Sequence, residues 1–116
     1  MEELKMKITA IVYDYNTATP ISTTEINSGH LGLLNYFIKS LYPEEQALCV
    51  RLGNTQVNIE LEYAGYFTEY AVTIEDEDIS TPCEQLLFDT ANEVSDFLTE
   101  YLGNLIEIDN IRRAWA

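Results

Sequence analysis

The sequence predicts a single α+β domain over residues 1–116, a two-layer sandwich in which an antiparallel sheet of 4-5 strands is packed by two helices. Three observations predict it. Apolar residues alternate with period two near the start of the chain and again through its middle, and they recur at three- and four-residue steps in two other stretches. The chain has 116 residues, 47% of them hydrophobic and 22% charged, enough for one core and too few for two. The expected order is β-α-β-β-β-α, with a possible short C-terminal strand.

The first strand is read over Leu4–Tyr15, where Leu4, Met6, Ile8, Ala10 and Val12 share a face opposite Lys5, Lys7, Thr9, Ile11, Tyr13 and Tyr15. Residues 16–27, rich in Asn, Thr, Pro and Ser, read as a loop. From about Ser28 to Tyr42, Leu31, Leu34, Ile38 and Leu41 make a helical stripe, weakened by Gly29 and Gly32 and ended by Pro43. A three-stranded meander follows. Its alternating residues are Leu48, Val50 and Leu52, then Val57, Ile59, Leu61 and Tyr63, then Tyr70, Val72 and Ile74, with turns at Gly53-Asn54 and Ala64-Gly65.

The last helix is expected to start at Thr81-Pro82-Cys83-Glu84, which has a capping residue, Pro at the first helical position and Glu placed to return a bond. Leu87, Ala91, Val94, Leu98 and Tyr101 continue it, and Gly103 is placed to cap its end. Ile106 and Ile108 suggest the short final strand, and Arg112-Arg113-Ala114-Trp115 forms a basic, aromatic tail.

Little in the sequence points to catalysis or to a cofactor. His30 is the one histidine, and no second His or Cys stands at metal-ligand spacing from it. Cys49 and Cys83 are too far apart for a zinc motif and too few for a disulfide framework. The five glycines are scattered and none precedes a Lys-Ser/Thr pair, so there is no phosphate cradle. The run Glu75-Asp76-Glu77-Asp78 lacks the alternate ligands and central Gly of a calcium loop. The expectation is a non-enzymatic protein without metal or cofactor. No apolar run reaches the 18 or so residues of a membrane span, and the opening Met1-Glu2-Glu3-Leu4-Lys5 is unlike a signal peptide, so a reduced, cytoplasmic protein is expected.

Charge is the informative quantity. Twenty acidic against six basic residues give a formal net charge of -14, and the imbalance is concentrated in the second half. No Lys or Arg occurs between Leu52 and Ile111, so carboxylates there have no i,i+4 cation to pair with. Asp89, Glu93, Asp96 and Glu100 step by four, three and four into one acidic stripe on the long helix, led by the run 75–78. Glu60, Glu62 and Glu69 fall on the polar face of the meander, beside Tyr66 and Phe67. Direct binding of nucleic acid or an anionic membrane is disfavoured, because both need Lys and Arg to neutralise phosphate.

A single-sign field of this kind suits a basic protein partner. The expected partner surface is Glu75, Asp76, Glu77, Asp78, Asp89, Glu93, Asp96 and Glu100, engaging a nuclease, polymerase or defence effector, with the chain itself a monomer or homodimer. In composition and element order the chain resembles the nucleic-acid mimics that phages and mobile elements direct at host defence, and the acidic immunity proteins that plug toxin nucleases. The resemblance implies an inhibitor occupying a basic groove. The segment Leu33-Leu34-Asn35-Tyr36-Phe37 followed by a meander is also similar to the small acidic chaperones of bacterial type III secretion, which would imply client binding through apolar grooves. The leading strand and single long terminal helix depart from that pattern. A third use, pairing of a sheet edge or of the Arg112–Trp115 tail with a partner strand, is open as well.

Overall fold

Residues 7–76 and 85–115 are described by a computed structural model, apart from the Arg113 side chain. They form one six-stranded sheet and two α-helices. The strands are β1 (Lys7–Asp14), β2 (Pro20–Asn27), β3 (Gln46–Leu52), β4 (Thr55–Ala64), β5 (Phe67–Asp76) and β6 (Gln85–Phe88). All neighbouring strands are antiparallel, in the spatial order β2-β1-β3-β4-β5-β6. The helices are α1 (Leu33–Lys39) and α2 (Ala91–Trp115), with a single 3-10 turn at Ser28–His30 ahead of α1.

The registers explain the core. Val12, Leu48, Ile59, Val72 and Leu86 stand side by side across five strands, and Ala10, Val50, Val57 and Ile74 form the next row. Because side chains alternate along a strand, these rows occupy one face. They share a core with Leu34 and Ile38 of α1 and with Val94, Leu98 and Leu102 of α2, all five fully buried. Each such side chain contributes about 1.5–3 kcal/mol through burial. Phe97 ties α2 to β6 by packing on Phe88 at 5.4 Å between ring centroids, and Tyr101 stacks on Phe97 at 5.7 Å.

The structure corrects the expected boundaries in four places. The sheet has six strands, not 4-5. Residues 20–27, expected in a loop, are β2; as an edge strand it buries only Ile26, so its bonding to β1 leaves no alternating apolar pattern. The β1–β2 turn is held by Asp14, whose Oδ1 accepts from the Asn16 and Thr17 amides. The first helix is shorter than Ser28–Tyr42. Its opening is the 3-10 turn capped by Asn27, Gly32 supplies no side-chain cap, and it ends at Lys39 with the Ser40 hydroxyl bonded back to the Tyr36 carbonyl.

The largest correction concerns the last helix. Gln85–Phe88 pairs with Tyr70–Thr73 as β6, so the helix begins at Ala91. The Thr-x-x-Glu signature recurs at Thr90–Glu93, and the cap is formed there. The Glu93 amide donates to the Thr90 hydroxyl at 3.2 Å, and that hydroxyl donates to the Glu93 carboxylate at 3.1 Å. At the other end α2 runs through Gly103 to Trp115, and the expected strand at 105–111 is helical. Nothing lies within 4 Å of a Cβ built on Gly103, so the helix crosses it without using its freedom. The Leu4–Met6 part of the first strand and the Thr81–Glu84 cap lie outside the described residues.

These limits are testable by equilibrium denaturation. Gly103→Ala is expected to stabilise the fold by about 0.5–1 kcal/mol, as in any helix interior. Thr90→Ala is expected to cost about 1 kcal/mol through loss of the cap. A destabilising Gly103→Ala would mean that the helix ends there.

Candidate functional site

The residues expected to act as one acidic surface are divided by the fold. Glu93, Asp96 and Glu100 are exposed on α2, and Glu107 extends the row. At about 100° per residue these four fall within about 60° of arc, on the side opposite Val94, Leu98 and Leu102. Their axial separations are about 4.5, 6 and 10.5 Å, between one and about three times the 3.4 Å rise per phosphate along one nucleic-acid strand. The helix carries no Lys or Arg before Arg112. Asp89, exposed, lies in the bend between β6 and α2 and precedes the ridge instead of belonging to it.

The described part of the run 75–78 does not lead into this ridge, because β6 intervenes. Its two described members lie on opposite faces of β5, as strand alternation requires. Glu75 is exposed on the face away from the helices, in register with Gln56 and, one strand further, Arg51. Asp76 is on the helix side, where it accepts from the Thr55 hydroxyl at 3.3 Å. There, burial and then the Asp76 charge hold the Tyr101 hydroxyl above its ordinary pKa. Glu77 and Asp78 lie outside the described residues.

A second acidic group is assembled on the sheet face that no described helix covers. Glu60 and Glu62 are two apart on β4, and Glu69 of β5 stands directly opposite Glu62. Like charges so placed repel. Burial, then the hydrogen bond and charge of Glu62, raise the Glu60 carboxyl above its ordinary pKa. The same pair, with burial and Glu44, raises the Tyr15 hydroxyl. Glu44 is brought there by its own backbone. It adopts φ 59° while its amide donates to the Leu61 carbonyl at 2.8 Å, and its carboxylate accepts from the Tyr63 amide. At the far end of this face the chemistry is mixed: Lys7 and Glu25 pair at 3.9 Å, and Arg51, Thr55, Gln56 and Glu75 line a shallow polar depression of about 310 Å³.

The sequence places Glu60, Glu62 and Glu69 on one face but does not reveal Tyr15 and Glu44 beside them, since those contacts join three separate segments. It contains a signal for Glu107 in the seven-residue step from Glu100, obscured by the strand-like look of Leu105–Ile111. Cys49 is buried mid-sheet, and burial raises its thiol pKa against the lowering influence of Arg51, which keeps it a thiol. His30 is exposed. Among the described residues no group of three or more His, Cys, Asp or Glu is disposed to hold a metal, and no helix is long and apolar enough to cross a membrane. Comparison with protein-family models, curated proteins and solved structures finds no match to this chain.

The Glu60 environment gives a pH signature. A carboxyl raised above its ordinary value of 4.5 in the fold ionises at greater cost there than in the unfolded chain. Its stabilising contribution is therefore full below the unfolded pKa and lost as pH rises through the folded one. Glu60→Gln is expected to raise the urea midpoint at pH 7, with the gain vanishing below about pH 4. Equal midpoints at pH 7 would contradict this assignment.

Proposed function

We propose that this chain is a non-enzymatic protein-binding inhibitor whose α2 ridge occupies the basic groove of a nucleic-acid-handling enzyme, in place of phosphates. The partner is a nuclease, polymerase or defence effector. One observation carries the reading: Glu93, Asp96, Glu100 and Glu107 are exposed in a row, on a helix with no cation before Arg112. Repulsion along that row costs the free protein stability, and an array of Lys and Arg would relieve it. The ridge is also pre-organised. Val94, Leu98 and Leu102 are fully buried beneath it and the Phe88–Phe97–Tyr101 contacts fix the helix, so little ordering is left to oppose association. Binding of this kind is fast and salt-sensitive.

A second reading, an adaptor holding a protein client through apolar contacts, is favoured by a different observation. Leu87 of β6 and Phe67 of β5 are both more than half exposed on the face away from the helices. Salt separates the two. Binding through the ridge weakens steeply between about 0.05 and 0.5 M salt, where the screening length falls to a few ångströms. Binding through Leu87 and Phe67 does not.

The test is capture from the native cell followed by binding measurements with the identified partner. A basic nucleic-acid enzyme is expected, inhibited by the wild-type chain and released at about 0.5 M salt. Replacing Glu93, Asp96 and Glu100 together by Lys is expected to weaken binding by at least about a hundredfold, given several kilocalories of close charge coupling. Undiminished binding by that triple variant would overturn the reading.

A further inference from the structure

We propose that the last third of α2 pairs in parallel with the same segment of a second copy of this chain. Among the described residues Leu102 is the last fully buried one of the helix; thirteen residues run on from Gly103 to Trp115, of which Leu105 and Ile106 are partly buried against the core and Ile108, Ile111, Arg112 and Trp115 are exposed. A 25-residue helix is about 37 Å long, and the molecule is correspondingly elongated, 52 × 28 × 25 Å. The apolar pattern nevertheless continues past the last fully buried residue. Val94, Tyr101, Ile108 and Trp115 recur every seven residues, with Phe97, Asn104 and Ile111 three residues after the first three of them. This is the a/d repeat of a two-stranded coiled coil.

Inside the body that stripe is used within the chain: Val94 is buried, Phe97 packs on Phe88 and Tyr101 on Phe97. Outside it, Ile108, Ile111 and Trp115 are 47%, 51% and 86% exposed. The flanking positions change where the sheet stops. Leu98 is fully buried and Leu105 partly buried against the core, whereas Arg112, the next in that series, is exposed. On the other flank stands Glu107.

The occupant follows from charge complementarity. In a parallel pair a residue at the second flank meets the residue five further on in its partner, so Glu107 of each copy meets Arg112 of the other. The segment is thus complementary to itself. It is also where two chains of net charge -14 approach against least repulsion, because Arg112 and Arg113 end sixty residues without a cation. Asn104, at a d position, is the polar member of the seam. The interface takes Glu107 from the end of the ridge and leaves Glu93, Asp96 and Glu100 outside it, and the apolar seam stands whether or not those three bind a basic partner.

The test is sedimentation equilibrium of the full chain from about 5 to 500 µM, with intrinsic fluorescence of Trp115, the chain's one tryptophan, read on the same samples. A dimer with Kd near or below about 100 µM is expected, a weak association because the free segment is under two heptads. Trp115 emission is expected to shift to the blue with concentration as its ring leaves water. Ile111→Asp is expected to raise Kd at least tenfold with helical content unchanged. Arg112→Glu is expected to raise it severalfold, and adding Glu107→Arg to that variant should restore it. A monomer throughout the range, unmoved Trp115 emission, a dimer indifferent to Ile111→Asp, or no rescue by the charge swap would overturn the proposal.

Discussion

Sixty consecutive residues with no Lys or Arg must fold around a common core while carrying most of the molecule's negative charge. That constraint shapes the rest. Burial of Val57, Ile59, Leu61, Val72, Val94, Leu98 and Leu102 fixes β4, β5 and α2, and the intervening carboxylates are then held on surfaces where neighbours of opposite sign are absent from the local sequence. The hydrophobic term is indifferent to sign and strong enough to hold the arrangement. Electrostatic repulsion is what the fold tolerates in return, and it is visible where Glu62 faces Glu69 and where Glu62 raises the Glu60 carboxyl.

The long helix shows how three demands are met on one cylinder. Its buried side closes the core, its outer side is the acidic ridge, and the flank between them carries Phe97 and Tyr101 against β6 and then Ile108, Ile111 and Trp115 beyond the sheet. A helix confined to the length of the sheet would need only the first two.

Much of the meander was legible in the sequence, since period-two alternation and the Gly53-Asn54 and Gly65 turns report directly on β3, β4 and β5. Both turn glycines adopt positive φ, 58° and 73°. The edge strands were not legible. β2 buries a single apolar residue and β6 has four residues, so both owe their conformation to hydrogen bonds with the strand before them and not to an apolar pattern of their own. Two Thr-x-x-Glu signatures nine residues apart each offer a helix start, and pairing of Gln85–Phe88 with β5 selects the second. The ridge was legible from Glu93 to Glu100 by spacing alone. Placing Glu75 and Asp76 on opposite faces required knowing that β5 extends through both, and the Tyr15–Glu44–Glu60–Glu62 grouping required the tertiary fold.

Mutual repulsion of the α2 carboxylates, held in place by the core beneath them, is the interaction on which the proposed ridge rests. It is tested most directly by comparing urea stability against salt for the wild-type chain and for a chain with Glu93→Gln, Asp96→Asn and Glu100→Gln together. Wild-type stability is expected to climb as salt rises from about 0.02 to 0.5 M, while the neutralised chain is more stable at low salt and responds less. A wild type insensitive to salt, or a neutralised chain less stable at low salt, would contradict it.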